Sequence, residues 1–358
     1  MRILHCLNSP NIGGLERLVI ELAVIQQKEG LQVAVMLDSR EGQYYEYLKS
    51  HKISILDSGI KGGFDFSPKT YQKLKKIFKT FDIVHLHSFS PIRSLALKHA
   101  SIKVVYTMHG LSKNIRKENI IKYRFREALK QYFLNKTDVL IANSKHTLRL
   151  AKQHYGLDKV NAITIFNGVK LPAMAIAKHS DEDLVIGLVS RFTKRKRIDR
   201  LINAFDLFLK RGGKGRLVLV GDGAAYVDVE KQIKELSLSK NVELVGYSNA
   251  VEDYYSKFDV CVHPSDNEGF GLVAVEAYSF GLPVIAFKDS GGLVEVVKPI
   301  EPENIVDNEK QLAERLLIYY KNRNFISAYT HKRMAYARDE FSIERMEREY
   351  YNVYKNLI

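Results

Sequence analysis

Residues 258–277 read Phe258-Asp259-Val260-Cys261-Val262-His263-Pro264-Ser265-Asp266-Asn267-Glu268-Gly269-Phe270-Gly271-Leu272-Val273-Ala274-Val275-Glu276-Ala277. Phe258 to Val262 is a short, mostly apolar run of strand length. Gly269 and Gly271 fall in the turn that follows, where a backbone can bend sharply or approach another group closely. From Leu272 the residues suit a helix. A strand, a glycine turn and a helix form the repeating element of a parallel sheet covered by helices.

The same alternation extends in both directions. In the first half strands are expected near 2–7, 31–37, 52–56, 82–86, 102–107, 137–141 and 162–165, with helices such as Leu15 to Lys28, Pro68 to Lys79 and Ser144 to Tyr155 between them. The second half restarts at Leu184-Val185-Ile186-Gly187-Leu188-Val189 and continues with strands near 216–220, 241–245, 258–262 and 282–286. Continuous apolar strands such as Arg216-Leu217-Val218-Leu219-Val220 suit a sheet buried on both faces. A chain of 358 residues is long for one core and fits two domains. The unpatterned run Asn167 to Asp183, with Gly168 and Pro172, reads as the linker. Domains are therefore expected at 1–168 and 169–340. The aromatic tail of about 341–358 is expected to form a helix that packs back on the first domain.

Composition narrows the function. No apolar run reaches the length of a membrane span. The first seven residues are too short and interrupted for a secretory leader. Cys6 and Cys261 lie far apart in expected buried strands, which suits a reducing cytoplasm. The net charge of +14 resides in the first half, where residues 1–170 hold 28 Lys and Arg against 13 Asp and Glu. Its densest part, 113–152, interleaves Lys113, Arg116, Lys117, Lys122, Arg124, Arg126, Lys130, Lys136, Lys145, Arg149 and Lys152 with Tyr123, Phe125, Tyr132 and Phe133. This is either a solvated helix face or a surface for anionic lipid headgroups. Nucleic acid is disfavoured, because no groove-reading helix, zinc spacing or RNP-like strand is present.

Four stretches carry chemistry. In the opening stretch, Gly269 and Gly271 precede a helix N-terminus, where backbone N–H groups converge on an anion. Glu276 lies about one turn inside that helix and can accept hydrogen bonds from ligand hydroxyls. Amides for phosphate beside a carboxylate for hydroxyls read as a nucleotide-sugar site. Second, Asn11-Ile12-Gly13-Gly14-Leu15-Glu16 follows the first strand and leaves helix amides free. It does not match G-x-G-x-x-G and so argues against a simple NAD fingerprint. Third, Ser190-Arg191-Phe192-Thr193-Lys194-Arg195-Lys196-Arg197-Ile198-Asp199 puts five cations in seven residues at the carboxyl end of a strand. Ligands of doubly wound sheets bind at that edge, and Arg191 and Lys196 could stabilise a departing diphosphate there without a metal. Fourth, Thr107-Met108-His109-Gly110 ends another strand. His109 is balanced between a structural and a functional reading. His85 and His87 are taken to face opposite sides of their strand, which makes His85 a core residue and leaves His87 open. Asp181-Glu182-Asp183 falls in the linker and reads as a solvated run. Zinc-protease, Walker A, paired-cysteine and G-x-S-x-G motifs are absent from the sequence.

In order and spacing, Gly13-Gly14-x-Glu16, Thr107-x-His109-Gly110, Asn143-Ser144, Asn167-Gly168-Val169, Gly221-Asp222-Gly223 and Glu268-x7-Glu276 resemble the retaining glycosyltransferases of family 4 over essentially the whole chain. That resemblance implies an α/β GT-B fold: two Rossmann-like, doubly wound parallel-sheet domains facing a central cleft, the first for the acceptor and the second for the donor. It implies that Glu276 binds the donor ribose and that Glu268 faces the transferred sugar. The amides of Gly269, Phe270, Gly271 and Leu272 would meet the sugar or diphosphate. Arg191 and Lys196 would clamp the diphosphate, Gly13 and Gly14 would approach the distal phosphate, and Gly246 and Tyr247 would lie near the base. His109 would contact a sugar hydroxyl and support the oxocarbenium-like transition state.

The family's leaving phosphate oxygen is thought to take the acceptor proton on the same face, so no metal and no cofactor are expected. Donor and acceptor would be a nucleotide-diphosphate sugar, UDP before GDP, and a glycan or lipid-linked glycan of surface polysaccharide assembly. The expected location is cytoplasmic, peripheral at the inner face of the membrane. The rival readings are a nucleotide-sugar 2-epimerase of the same fold and a catalytically silent partner subunit. The family often has Lys-Gly where this chain has Lys196-Arg197, and Asn-Gly-Val-Asp where Lys170 follows Val169. Arg197 would then add a cation near the diphosphate or point to solvent.

Overall fold

A computed structural model describes residues 1–11, 13–62, 65–100, 102–111, 120–171 and 183–358. The chain divides into two compact units, Met1–Gly168 with Ile343–Ile358, and Val169–Ser342. Of the expected linker, residues 172–182 lie outside the described residues, as do Lys113, Arg116, Lys117 and Glu118 of the basic stretch.

In the first unit, β1 (Arg2–Leu7), β2 (Gln32–Leu37), β3 (Ser54–Asp57), β4 (Ile83–Leu86), β5 (Lys103–Met108), β6 (Val139–Ala142) and β7 (Ala162–Thr164) form one sheet in the order β3-β2-β1-β4-β5-β6-β7. Every pairing is parallel. Because strand side chains alternate, each strand feeds two cores. Leu4, Cys6, Val84, Leu86, Tyr106 and Leu140 pack on one face with Leu74, Phe78, Ile92 and Ala151. Ile3, Ile83, Val105, Val139 and Ile141 pack on the other with Leu18 and Leu22 of helix Gly14–Lys28. Ile343, Met346, Tyr350 and Tyr354 of helix Ile343–Lys355 complete that second face.

In the second unit, β8 (Leu184–Val189), β9 (Gly215–Val220), β10 (Val242–Gly246), β11 (Val260–His263), β12 (Val284–Phe287) and β13 (Ile305–Val306) form a parallel sheet in the order β10-β9-β8-β11-β12-β13. One face of it packs on Phe205, Phe208, Leu312, Leu316 and Tyr319. The strand expected at 282–286 begins at Val284, because Pro283 has no N–H for the ladder. Its carbonyl still accepts from the Cys261 amide at 2.9 Å.

Both sheets reverse direction once, between β1 and β4 and between β8 and β11. At such a switch point the loops leaving the two strands diverge and open a crevice. Asn8–Asn11, Gly13–Gly14 and the residues after Leu86 flank the crevice of the first unit. Ser190–Arg197 and Pro264–Gly271 flank that of the second. Among the described residues no helix is long and apolar enough to cross a membrane.

Candidate functional site

The crevice of the second unit brings together residues that are 72 positions apart. The Lys196 ammonium donates to Glu268 Oε1 at 2.6 Å, and Arg195 approaches Glu268 Oε2 at 3.4 Å. Both members of the shorter pair are largely shielded, with side-chain exposures of 16% for Lys196 and 11% for Glu268. Burial alone would raise the Glu268 pKa. Lys196, then Arg195, outweigh burial and hold it below the usual carboxylate range. His263, buried at the end of β11, is pushed down to about 3 by burial and by Lys196, so it stays neutral. The cluster of Lys196, Arg195 and Glu268 therefore carries one surplus positive charge. That surplus suits an anion with more than one negative oxygen.

The loop around the cluster is held by its backbone. Glu268 bridges to Gly291: its amide donates to the Ser290 carbonyl at 3.1 Å, and its carbonyl accepts from the Gly292 amide at 2.8 Å. Ser290 Oγ donates to the Ser265 carbonyl at 2.8 Å. Gly271 caps helix Leu272–Ser279 with φ at 105°, and a Cβ there would press on Leu293. Only glycine fits both conditions. In the first turn it frames, the Ala274 amide donates to the Gly271 carbonyl at 3.0 Å, and the positive end of the helix lies at Gly271 and Leu272. Phe270 is a core residue, packed edge to face on Phe341 with centroids 5.6 Å apart. Any contact it makes with a ligand must come from its main chain. One turn into the helix, Glu276 Oε2 accepts from the Tyr255 hydroxyl at 3.1 Å, which fixes the carboxylate's direction.

Arg191 is exposed on the loop after β8, which is braced from below. The Phe192 amide donates to the Asp222 carbonyl at 2.8 Å, and a Cβ on Gly221 would strike the Ser190 carbonyl. Arg197 is part-exposed and tied to carboxylates of its own unit. It sits in the left-handed region at φ 47° and bonds Asp199, with Asp266 at 3.5 Å. Left-handed backbone costs a non-glycine residue about 1 kcal/mol, and here two carboxylates hold the arginine in place. Gly246 ends β10 at φ 78° and accepts from the Gly221 amide, and Tyr247 beside it is half exposed.

In the first unit, Gly13 is extended at φ −171° and caps helix Gly14–Lys28. His109 follows β5. Its Nε2 lies 3.1 Å from His87 Nδ1, and its own Nδ1 is buried without a partner among the described residues. His85 and His87 share one face of their strand, with ring centroids 4.0 Å apart. The expectation of opposite faces fails because pleat alternation has a period of two. His5, His85 and His87 gather their ring nitrogens within 4.8 Å of one another. All six of those nitrogens already face protein partners: Gln26, Tyr354, Thr107, His109, and each other in the His5–His87 pair. A metal would have to break several of these bonds.

The ion pairs of Arg195, Arg197 and Asp266 and the contact of His87 with His109 left no sequence signal, because their partners are separated by loops and strands.

Comparison places this arrangement among known proteins. The profile of Glycosyl transferases group 1 matches residues 172–339, and that of Glycosyltransferase Family 4 matches residues 12–171. An uncharacterized glycosyltransferase of Methanocaldococcus jannaschii is 30% identical over 299 residues, 80% of this chain and 78% of that protein. The O-antigen biosynthesis glycosyltransferase WclY of Escherichia coli is 24% identical over 316 residues, 81% of this chain and 83% of its own. The crystal structure of HepE from Anabaena in complex with UDP aligns with a TM-score of 0.84 at 21% identity, covering 99% of this chain and 100% of that one. The two parallel Rossmann-like sheets and the matched profiles together make this chain a member of the family 4 glycosyltransferases of group 1, with the GT-B type of fold.

Proposed function

We propose that the chain transfers a hexose or N-acetylhexosamine, with retention and without a metal, from a nucleotide-diphosphate sugar to a glycan or lipid-linked glycan of surface polysaccharide. The Lys196–Glu268–Arg195 cluster at a sheet switch point carries this reading. It offers a diphosphate fixed positive charge beside a glycine-capped helix start, and fixed charge of that kind stabilises a leaving group as its bond breaks. The UDP held by the Anabaena relative supports a uridine donor, and the O-antigen role of the E. coli relative supports the polysaccharide setting.

In this reading Lys196 and Arg191 hold the diphosphate, with Gly13 and Gly14 offering main-chain contact to its distal phosphate. Glu268 accepts from the transferred sugar and Glu276 from the ribose. The amides of Gly269, Phe270, Gly271 and Leu272 meet the sugar or diphosphate. Gly246 and Tyr247 line the base, and His109 receives a sugar hydroxyl. The leaving phosphate oxygen takes the acceptor's proton.

The assignment of Glu276 is checked by titration calorimetry with UDP. Glu276→Ala is expected to weaken binding by about 10- to 100-fold, the scale of losing hydrogen bonds to a charged group. Unchanged affinity would remove the ribose assignment. Incubating the wild-type protein with donor alone separates the rivals. A new nucleotide sugar formed without acceptor would favour the epimerase, and no nucleotide binding would favour the silent subunit.

The acceptor side extends the proposal to a membrane surface. Helix Ile120–Leu134 exposes Ile121 at 73%, Phe125 at 52% and Tyr132 at 50%, among Lys122, Arg124, Arg126 and Lys130. Apolar and aromatic side chains between cations suit anionic headgroups. Cosedimentation with vesicles containing phosphatidylglycerol is expected to fall steeply as salt rises. Equal binding to phosphatidylcholine vesicles would sink the idea.

A further inference from the structure

We propose that Gln26, His5 and His87 form a polarised hydrogen-bond relay that fixes His109 as the Nε2–H tautomer, leaving its Nδ1 lone pair as a dedicated acceptor for a hydroxyl of a sugar or other polyol. Gln26 Oε1 faces His5 Nε2 at 2.8 Å, His5 Nδ1 faces His87 Nε2 at 3.0 Å, and His87 Nδ1 faces His109 Nε2 at 3.1 Å. An amide oxygen can only accept, so His5 must carry its proton on Nε2. A neutral His5 then has a bare Nδ1, which only an N–H on His87 Nε2 can satisfy. The same logic puts the next proton on His109 Nε2 and leaves Nδ1 bare.

Neutrality of every ring is the condition for this order. Burial supplies it by lowering His5 and His109 to about 4 and His87 well below the ordinary histidine value. His85, packed against both His5 and His87, faces Tyr354 and Thr107 with its two nitrogens and bonds none of the relay rings, while Tyr354 also hydrogen-bonds Gln26. The free end of the relay is the observation that points to a ligand: His109 Nδ1 is buried and has no partner among the described residues. A lone pair in that position demands a donor, so a hydroxyl fits it, whereas a carboxylate or an ether oxygen does not. Gln26, His5 and His87 are positioning residues in this scheme, because they act on the ligand only through His109.

The hydroxyl class of the ligand rests on the glycosyltransfer proposed above, whereas the tautomer does not, and one set of measurements separates the two. The full-length protein, labelled with ¹⁵N-histidine, is read at pH 7.5 by long-range proton–nitrogen correlation, with His109→Gln assigning the signal. The expected result is a protonated Nε2 and an unprotonated Nδ1 on His109. Gln26→Glu should break that pattern: a carboxylate beside buried His5 favours its charged ring, whose Nδ1–H then donates to His87 and reverses the order, although the variant keeps the acceptor. Gln26→Met, which removes it, should give a mixture of tautomers and lower kcat at least 10-fold, with a smaller change in KM for the donor. A proton on His109 Nδ1 in the wild-type protein overturns the relay. So does a pattern identical in Gln26→Met, and the wild-type measurement decides even where that variant fails to fold. A relay with the expected tautomers whose loss leaves kcat unmoved would stand as a device of the fold and would remove His109 from the transfer.

Discussion

Replacing Lys196 with alanine is expected to cut turnover by about 100- to 1,000-fold, the scale on which one preorganised contact to a developing oxyanion acts. Two effects combine. The departing diphosphate loses a shielded ammonium that cannot be replaced by water at equal strength. Glu268 also loses its nearer cation at 2.6 Å and keeps Arg195 at 3.4 Å and a hydrogen bond with Ser265. Without Lys196, burial, which pushes a carboxylate upward, is opposed mainly by an exposed guanidinium. The variant should therefore lose residual activity on the acid side at a higher pH than the wild-type protein does. Continuous detection of released nucleoside diphosphate across pH measures both effects. A variant within twofold of wild type would mean that the diphosphate is held elsewhere.

The second large effect is acid lability of the first unit. His5 and His109 are held down to about 4, and His85 and His87 well below the ordinary value, in each case chiefly by burial. In the unfolded chain all four would titrate near 6.5. Between those limits the unfolded state binds more protons than the native one, so stability is full above about pH 6.5 and falls as pH drops toward 4. Each histidine contributes up to about 1.4 kcal/mol per pH unit over that window. Glu347 works in the opposite direction, because burial raises its carboxyl pKa, but it is one group against four. Hydrogen exchange followed by mass spectrometry reads the two units separately, which a single melting curve of a two-unit chain does not. Peptides of β1, β4 and β5 should lose protection between pH 7 and 5 well before those of β9 and β12. Equal protection in both units across that range would contradict the burial of the histidines.

The architecture was legible because it rests on local pattern. Runs such as Leu184–Val189 and Leu217–Val220 are strand-length and apolar, as strands buried on both faces must be. Glycines at Gly13 and Gly271 sit at strand-to-helix turns. What escaped was short or non-local. β13 is two residues, Ile305–Val306, too few to show a period. The Lys196–Glu268 pair depends on β8 lying beside β11, which no window of sequence contains. Arg197 looked like one more loop cation, because the left-handed backbone beneath it is invisible in a residue name. The histidines of β4 were misread through the pleat, and that error hid the relay ending at His109. The chemistry of a doubly wound sheet lies where strands distant in sequence become neighbours, so its residues can be nominated from motifs but their partners cannot.

The final helix has a consequence for how the protein is made. Tyr354 reaches back 269 positions to His85, and Tyr350 reaches back 243 to Thr107. During synthesis the sheet face bearing Ile3, Ile83 and Val105, covered in part by Leu18 and Leu22, stays incomplete until this helix leaves the ribosome. At typical elongation rates that is roughly 10–40 s after the rest of the first unit has emerged. The second unit is contiguous and can close in the meantime. The unit translated first is therefore completed last, and a nascent chain that has released the second unit but not the final helix would present a partly covered apolar sheet face, the form most open to chaperones and to aggregation.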